Sequence, residues 1–257
     1  MIDWSELTLF IYIVARMSGF ILFNPLFGRM NIPAAYRTGF SLILSVCTAS
    51  SVMTQQAAAV PVSLLDMAIR ILLELCIGLI LGMVMNFFFY IPSLAGTLAD
   101  MQMGMTMNQI YDPSSQSNLS VTGVLINCMM TMLFFSANGH HTLIRIAVTS
   151  GDAVAYGAAA FGQDVASAML ELFIECTLLA VKFALPILGA ELMGQVGMGI
   201  LMKVIPQINV FVINIELKVI IGLCMLIALI QPFSEYLLKV EMQMLQEIRM
   251  ILNLMGT

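Results

Sequence analysis

The sequence predicts an all-α, membrane-associated protein of about six hydrophobic helices, some of them broken or kinked hairpins. Three observations carry that prediction. The 257 residues include 10 basic and 15 acidic side chains, so 10 % are charged, against about 25 % in soluble domains. The apolar fraction is 60 %, with a mean hydropathy of +0.98. The apolar residues also gather in runs of roughly the 20 residues that a spanning helix needs. A soluble domain this poor in charge would expose large apolar patches, which mark membrane or partner contact. With a pI of 4.9 and no cluster of Lys or Arg, nothing would draw the chain to a phosphate backbone. A soluble enzyme, a disordered chain and a nucleic-acid binder are therefore excluded.

The six runs lie at about residues 7–27, 40–60, 71–98, 119–135, 170–192 and 210–230. Asp3 and Glu6 precede the first, where a secretory signal would carry Lys or Arg, and Arg16 falls inside it; it reads as a retained helix. Pro25 and Pro33 bracket the first turn, Pro61 ends the second run, and Pro206 precedes the last. Pro92 and Pro186 lie inside the third and fifth runs, where each removes a backbone hydrogen bond, so both runs are expected to break or kink. Because continuous apolar runs lack the alternation of barrel strands, the spans are helical. Lys and Arg divide four to four between the two sets of loops, so the charge rule leaves orientation undecided.

Arg16, Glu74, Glu171, Glu175, Lys182 and Glu191 interrupt these runs, at about 2.5–3.5 kcal/mol each near the centre of a lone span. Pairing inside a bundle relieves that cost: Arg70 with Glu74 at i,i+4, and Glu175 with Lys182 one heptad apart. The other reading is that some helices face other subunits or a wet cavity. The five cysteines are odd in number, widely spaced and set in apolar runs, which reads as reduced thiols without a disulfide or metal framework.

Between the third and fourth runs, about 101–118, the composition turns to loop residues, with Tyr111-Asp112-Pro113 as a stop. It opens with Met101, Met103, Met105 and Met107. On a helix, Met101 and Met105 share one face and Met103 and Met107 another; only extended backbone would line up all four. Gly104 makes a helix end within the stretch plausible. Flexible thioethers repack around variable shapes and would serve a gasket or plug, the alternative being ordinary helix packing. Pro206, Gln207, Asn209 and Phe211 set amides just before an apolar helix. They cap it or hydrogen-bond across helices at about 0.6–2 kcal/mol each. From 235 to 253, Leu238, Met242, Leu245, Ile248 and Leu252 recur at steps of four and three. That makes an amphipathic helix that lies on a membrane surface or, better, on a partner. Adjacent His140 and His141 point to different sides of a helix, so helix-end or partner contact fits them better than metal. There is no phosphate-binding loop, dinucleotide fingerprint or nucleophile elbow, and no enzyme activity, cofactor or metal is expected.

Taken in order, Gly96-x-x-x-Asp100-x-Gln102-Met103-Gly104, Asp112-Pro113, Leu133-Phe134-Phe135 leading to Asn138-Gly139-His140-His141, Pro186, and Pro206-Gln207-Ile208-Asn209-Val210-Phe211 resemble the FliR family of flagellar type III export-gate subunits. That family has relatives in virulence injectisomes. Bulky Met105-Thr106-Met107 departs from the family pattern, as does a missing proline after Ser150. The resemblance covers essentially the whole chain as one domain, 1–257. It implies a channel component of a helical hetero-oligomeric gate in the bacterial inner membrane, at the flagellar basal body. The implied partners are the P-type and Q-type subunits (FliP, FliQ), the B-type switch protein (FlhB), unfolded export substrates and membrane lipid. The gate would comprise Met101, Met103, Met105, Met107, Gln109, Ile110, Tyr111, Asp112 and Pro113. Subunit contacts would fall on Pro206, Gln207, Asn209, Phe211, Leu245 and Ile248. The alternative function is a secondary transporter of small solutes with a midplane site.

Overall fold

The computed structural model describes residues 4–28, 32–52, 63–105, 110–112, 117–158, 162–204 and 210–256; of these, 110–112, 117–118 and 210–212 are described by their backbone only. Among the described residues the order is α1 (Trp4–Leu22), α2 (Ala34–Val52), α3 (Leu64–Met103), β1 (Ile110–Asp112), β2 (Ser117–Leu119), α4 (Val121–Ser136), α5 (Gly139–Val148), α6 (Ser150–Ala153), α7 (Gln163–Val204), α8 (Val210–Ala228) and α9 (Ile230–Met255). Among the described residues three helices, α1, α3 and α7, are long and apolar enough to cross a membrane, and up to five spans result if each of two bent pairs counts as one.

Helix ends follow local chemistry. α1 stops at Leu22 because Asn24 Oδ1 accepts from the Leu26 and Phe27 N–H groups at 2.9 and 3.1 Å, an Asx turn that Pro25 reinforces. The helix therefore ends five residues before its expected boundary. α3 begins where Ser63 Oγ accepts from Asp66 N–H at 3.2 Å, a side-chain N-cap. It ends at Gly104, whose φ of +77° is the left-handed C-terminal stop that glycine adopts without strain.

The expected breaks at Pro92 and Pro186 are corrected: α3 and α7 run through them for 40 and 42 residues. At Pro92 a neighbouring helix supplies polar partners. Asn127 Nδ2 donates to the Phe89 carbonyl at 3.3 Å and to Ser93 Oγ at 2.9 Å, one residue along from the Phe88 carbonyl that proline leaves without its i+4 donor. Sharp bends at short breaks separate two other pairs, 69° between α4 and α5 and 63° between α8 and α9. The first bend passes through Asn138 at φ 58°, a conformation that asparagine tolerates better than most residues.

By its contacts the chain falls into two compact units: 1–88, 138–173 and 241–257 form the first, 89–137 and 174–240 the second. A 40-residue helix is about 60 Å long, more than one small core covers, and α3 and α7 each contribute residues to both. The first unit buries Tyr12, Ile13, Met17 and Phe20 of α1 with Ile77, Leu81 and Met85 of α3. The second stacks Phe183 on Phe233, centroids 4.3 Å apart, and sets Phe89 edge-on to Phe134 at 6.0 Å.

α9 is amphipathic as expected, and Ile248 and Leu252 of the expected stripe are buried, but the rest of the buried face is shifted from it. Leu237, Val240, Met244, Ile248, Ile251 and Met255 are 0–3 % exposed, while Met242 is 59 % exposed. The tail carries enough apolar residues for two overlapping stripes, and the chain's own core takes one of them. Ile248, 1 % exposed, is thereby removed from the expected partner contacts.

Candidate functional site

Two constellations of polar groups are built into apolar surroundings, one in each unit. In the first unit α1 and α3 approach closely because glycine sits on both. A Cβ at Gly78 would overlap the Arg16 carbonyl oxygen, and one at Gly19 the Leu75 carbonyl oxygen. Such close packing brings Arg16 onto Glu74 with both side chains fully buried. Arg16 Nε donates to Glu74 Oε2 at 2.6 Å. The rest of the guanidinium grips both ends of α6: Nη1 donates to Ser150 Oγ at 3.2 Å, and Nη2 to the Val154 carbonyl at 3.0 Å. The cation lies 4.1 Å from the centre of the Tyr156 ring, within the range of a cation–π attraction. Burial pushes the Tyr156 phenol above its ordinary value, and Arg16 pulls it partly back; the ring meets the cation as a neutral phenol.

The second oxygen of Glu74 accepts from Gly157 N–H at 2.7 Å. Arg70 donates to the Gly157 carbonyl at 2.5 Å and to Asp66 at 3.0 Å. Gly157 has φ +80°, which lets its N–H and carbonyl meet these two partners without strain. The expected Arg70–Glu74 pair is thus corrected: Glu74 belongs to Arg16, 58 residues away, and Arg70 to Asp66. A fully buried charge leaves Arg16 no cheaper option than multiple hydrogen-bonded partners. Glu175 and Lys182 are both exposed on α7.

In the second unit, the ends of the 104–119 segment are pinned together. A Cβ at Gly96 of α3 would overlap the Gly123 backbone of α4, so these helices touch main chain to main chain. Asp100 Oδ2 accepts from Thr122 N–H at 3.2 Å, a carboxylate at a helix N-terminus where the dipole favours it. Ser120 Oγ caps the same helix by accepting from Gly123 N–H at 3.0 Å, and Thr97 Oγ1 reaches Ser120 Oγ at 3.3 Å. The Gly96-x-x-x-Asp100 spacing is therefore one helical turn facing α4. Between the pinned ends, β1 and β2 pair antiparallel, with Ile110 opposite Leu119, Tyr111 opposite Asn118 and Asp112 opposite Ser117. A small hairpin stands where a plain loop was expected.

Met101 and Met103 do not share a face. Met101 and Met103 are the last turn of α3, Met101 being 61 % exposed and Met103 0 %, and Met105 is half-buried beyond Gly104. Helical backbone corrects the expectation of an extended stretch there, and Met103 serves packing. Met107, Gln109 and Pro113 lie outside the described residues, as do Pro206, Gln207 and Asn209. Ile110, Tyr111, Asp112 and Phe211 are placed by backbone only. Leu245 is half-buried. His140 and His141 begin α5 with ring centroids 4.1 Å apart.

Sequence reasoning flagged Arg16 and Glu74 as charges inside apolar runs but missed that they are each other's partner. It also missed Ser150, Tyr156 and Gly157, for which no local signal exists. Gly123 carried one faint signal, a glycine three residues after a capping serine.

Residues 7–244 match the model of the family described as Bacterial export proteins, family 1. The flagellar biosynthetic protein FliR of Bacillus subtilis (strain 168) is 26 % identical over 217 residues, covering 82 % of this chain and 81 % of that protein. FliR of Escherichia coli (strain K12) is 26 % identical over 213 residues, 83 % and 80 % of the two chains. The Yop proteins translocation protein T of Yersinia pestis is 28 % identical over 149 residues, 56 % of each.

Proposed function

The chain belongs to the bacterial export proteins, family 1, and on that premise we propose that it is a structural, non-enzymatic channel component of the flagellar type III export gate, passing unfolded flagellar subunits across the bacterial inner membrane. The observation that carries this reading is the 104–119 segment: a short hairpin held at both ends by Gly96 against Gly123 and Asp100 against Thr122. A segment tethered at two points can obstruct a passage without being carried away by what passes. Met101, Met105, Met107, Gln109, Ile110, Tyr111, Asp112 and Pro113 are its obstructing residues, acting by excluding water from an apolar constriction. The FliR relatives, matched over about 80 % of their length, and the Yop translocation relative support an export role over a solute transporter.

FliP, FliQ and FlhB are the proposed neighbours. Support comes from apolar side chains that are left uncovered on α7, such as Leu170 at 63 %, Met193 at 73 % and Ile200 at 62 % exposure; membrane lipid or unlike subunits would cover them. Pro206, Gln207, Asn209, Phe211 and Leu245 are the proposed contacts.

Co-expression with FliP and FliQ, followed by mild detergent extraction, tests the assembly. A stable hetero-oligomer is expected, and a functional homo-oligomer instead would favour the solute transporter. Replacing both Gln207 and Asn209 by leucine removes amide bonds of about 0.6–2 kcal/mol each and should lower hetero-oligomer yield while the chain itself still accumulates. Unchanged yield would make those amides helix caps only.

A further inference from the structure

One face of α7 is bare along the part of the helix that belongs to the second unit. Leu178, Leu185 and Leu192 recur every seven residues at 53–55 % exposure. Four residues after each comes a second exposed series of the same period, Lys182, Gly189 and Val196, which continues to Lys203. Alternating steps of four and three put both series on one side of the helix, the seam by which one helix packs along another in a supercoil. Fluid lipid chains impose no such register. Nothing lies within 4 Å of a Cβ at Gly189. Small residues on an apolar helix mark places where another backbone approaches closely, and Gly78 and Gly96 are such places inside this chain.

The charges on this seam select its occupant. Lys182 and Lys203 stand about 31 Å apart along the helix, and neither is ion-paired among the described residues. A second copy laid along the whole seam would set lysine against lysine, Lys182 on Lys182 when parallel and Lys182 on Lys203 when antiparallel. Like charges facing each other across a packed interface are costly, so the seam rejects its own copy in both directions. An unlike chain with acidic residues at those two levels fits it.

We propose that this seam of α7 docks one helix of an unlike subunit: an apolar helix with a carboxylate facing Lys182 and a second, about 31 Å along it, facing Lys203. A lysine in an otherwise apolar seam fixes register at some cost in stability. The two lysines therefore set where the incoming helix sits, while the leucines and Val196 supply the buried area. The inference rests on the reading of the chain as a subunit of a hetero-oligomeric gate, and it names the chemistry of the neighbour along α7.

The test uses the complex formed on co-expression with FliP and FliQ, with a photoreactive benzophenone side chain at position 196. Irradiation should join that position to FliP or FliQ. In the Lys182→Glu, Lys203→Glu double variant the adduct and the yield of hetero-oligomer should both fall roughly tenfold, while the chain itself accumulates as before, since both positions are exposed. Lys182→Arg with Lys203→Arg should keep both. An assembled hetero-oligomer whose position 196 joins only lipid, or only a second copy, overturns the docking seam and leaves the gate reading standing. A charge-reversed variant that assembles and cross-links like the parent overturns it too. Should the reversed variant not accumulate, Lys182→Gln with Lys203→Gln decides by the same two readouts. The gate reading fails separately, if no hetero-oligomer forms with FliP and FliQ, and the seam's inference then falls with it.

Discussion

Arg16→Leu is expected to be the most damaging single substitution in the chain. It leaves Glu74 Oε2 fully buried without its cation and frees Ser150 Oγ, the Val154 carbonyl and the Tyr156 ring at once. Breaking a buried pair from one side costs about 3–5 kcal/mol, because the remaining charge stays desolvated and unpaired. Such a loss is comparable with much of the stability of a typical domain. The chain should fall sharply in the membrane fraction, and purified protein in detergent should unfold at a markedly lower temperature. Arg16→Met combined with Glu74→Gln should recover much of that loss. The glutamine carbonyl still accepts from Gly157 N–H, and no isolated charge remains. The comparison separates the damage of an orphaned carboxylate from the net worth of the pair, which replacement by neutral groups often shows to be small. If Arg16→Leu unfolds at the parent's temperature, the clamp on residues 150–157 carries no stability.

Gly96→Val is the second large effect. The obstacle is the Gly123 main chain, and a main chain cannot rotate aside as a side chain can. The N-terminus of α4 must move off α3, stretching the Asp100–Thr122 and Thr97–Ser120 bonds together. Overpacking typically costs about 1–3 kcal/mol, occasionally more, and a backbone clash belongs at the upper end. Gly197 of α7 is the control: nothing lies within 4 Å of a Cβ there. Gly197→Ala should therefore gain about 0.5–1 kcal/mol from the lower entropy cost of alanine in a helix. Thermal unfolding of the purified chain should order the proteins Gly197→Ala at or above the parent, and Gly96→Val well below. Equal stability of the two variants would remove the main-chain contact as the tie between the ends of the segment.

The helical class and the approximate position of the long apolar helices α1, α3 and α7 were legible because hydropathy acts on whole runs of residues. Boundaries were less so. α1 ends where the Asn24 side chain caps its own turn, and α7 extends to 163–204 beyond its expected 170–192. Proline was overread as a stop: neither Pro92 nor Pro186 ends its helix. The 69° bend between α4 and α5 passes through Asn138, whose left-handed backbone gave no hydropathy signal.

Charge pairing failed in the same way. The i,i+4 rule favoured Arg70 with Glu74, yet the Gly19–Gly78 crossing delivers Arg16 to Glu74 across 58 residues. A periodic apolar stripe was legible in the tail. Which of two stripes faces the core was not, because that choice depends on the shape of the surface that α9 meets. The methionine run shows the limit most plainly. Its composition suggested a soft seal, but helix α3 continues to Met103 and turns it inward, leaving Met101 outside.

The central claim is that the pinned segment restrains passage through an assembled gate, and ion permeability of membranes carrying the complex with FliP and FliQ tests it most directly. Deleting residues 109–117 removes β1, the residues between the strands and the first residue of β2 while leaving the Gly96–Gly123 and Asp100–Thr122 ties in place. The deletion complex should form in normal yield and leak ions or small molecules, with export retained or only partly reduced, since an obstruction restrains flow and does not power it. A deletion complex that assembles fully and stays as tight as the parent would contradict the claim.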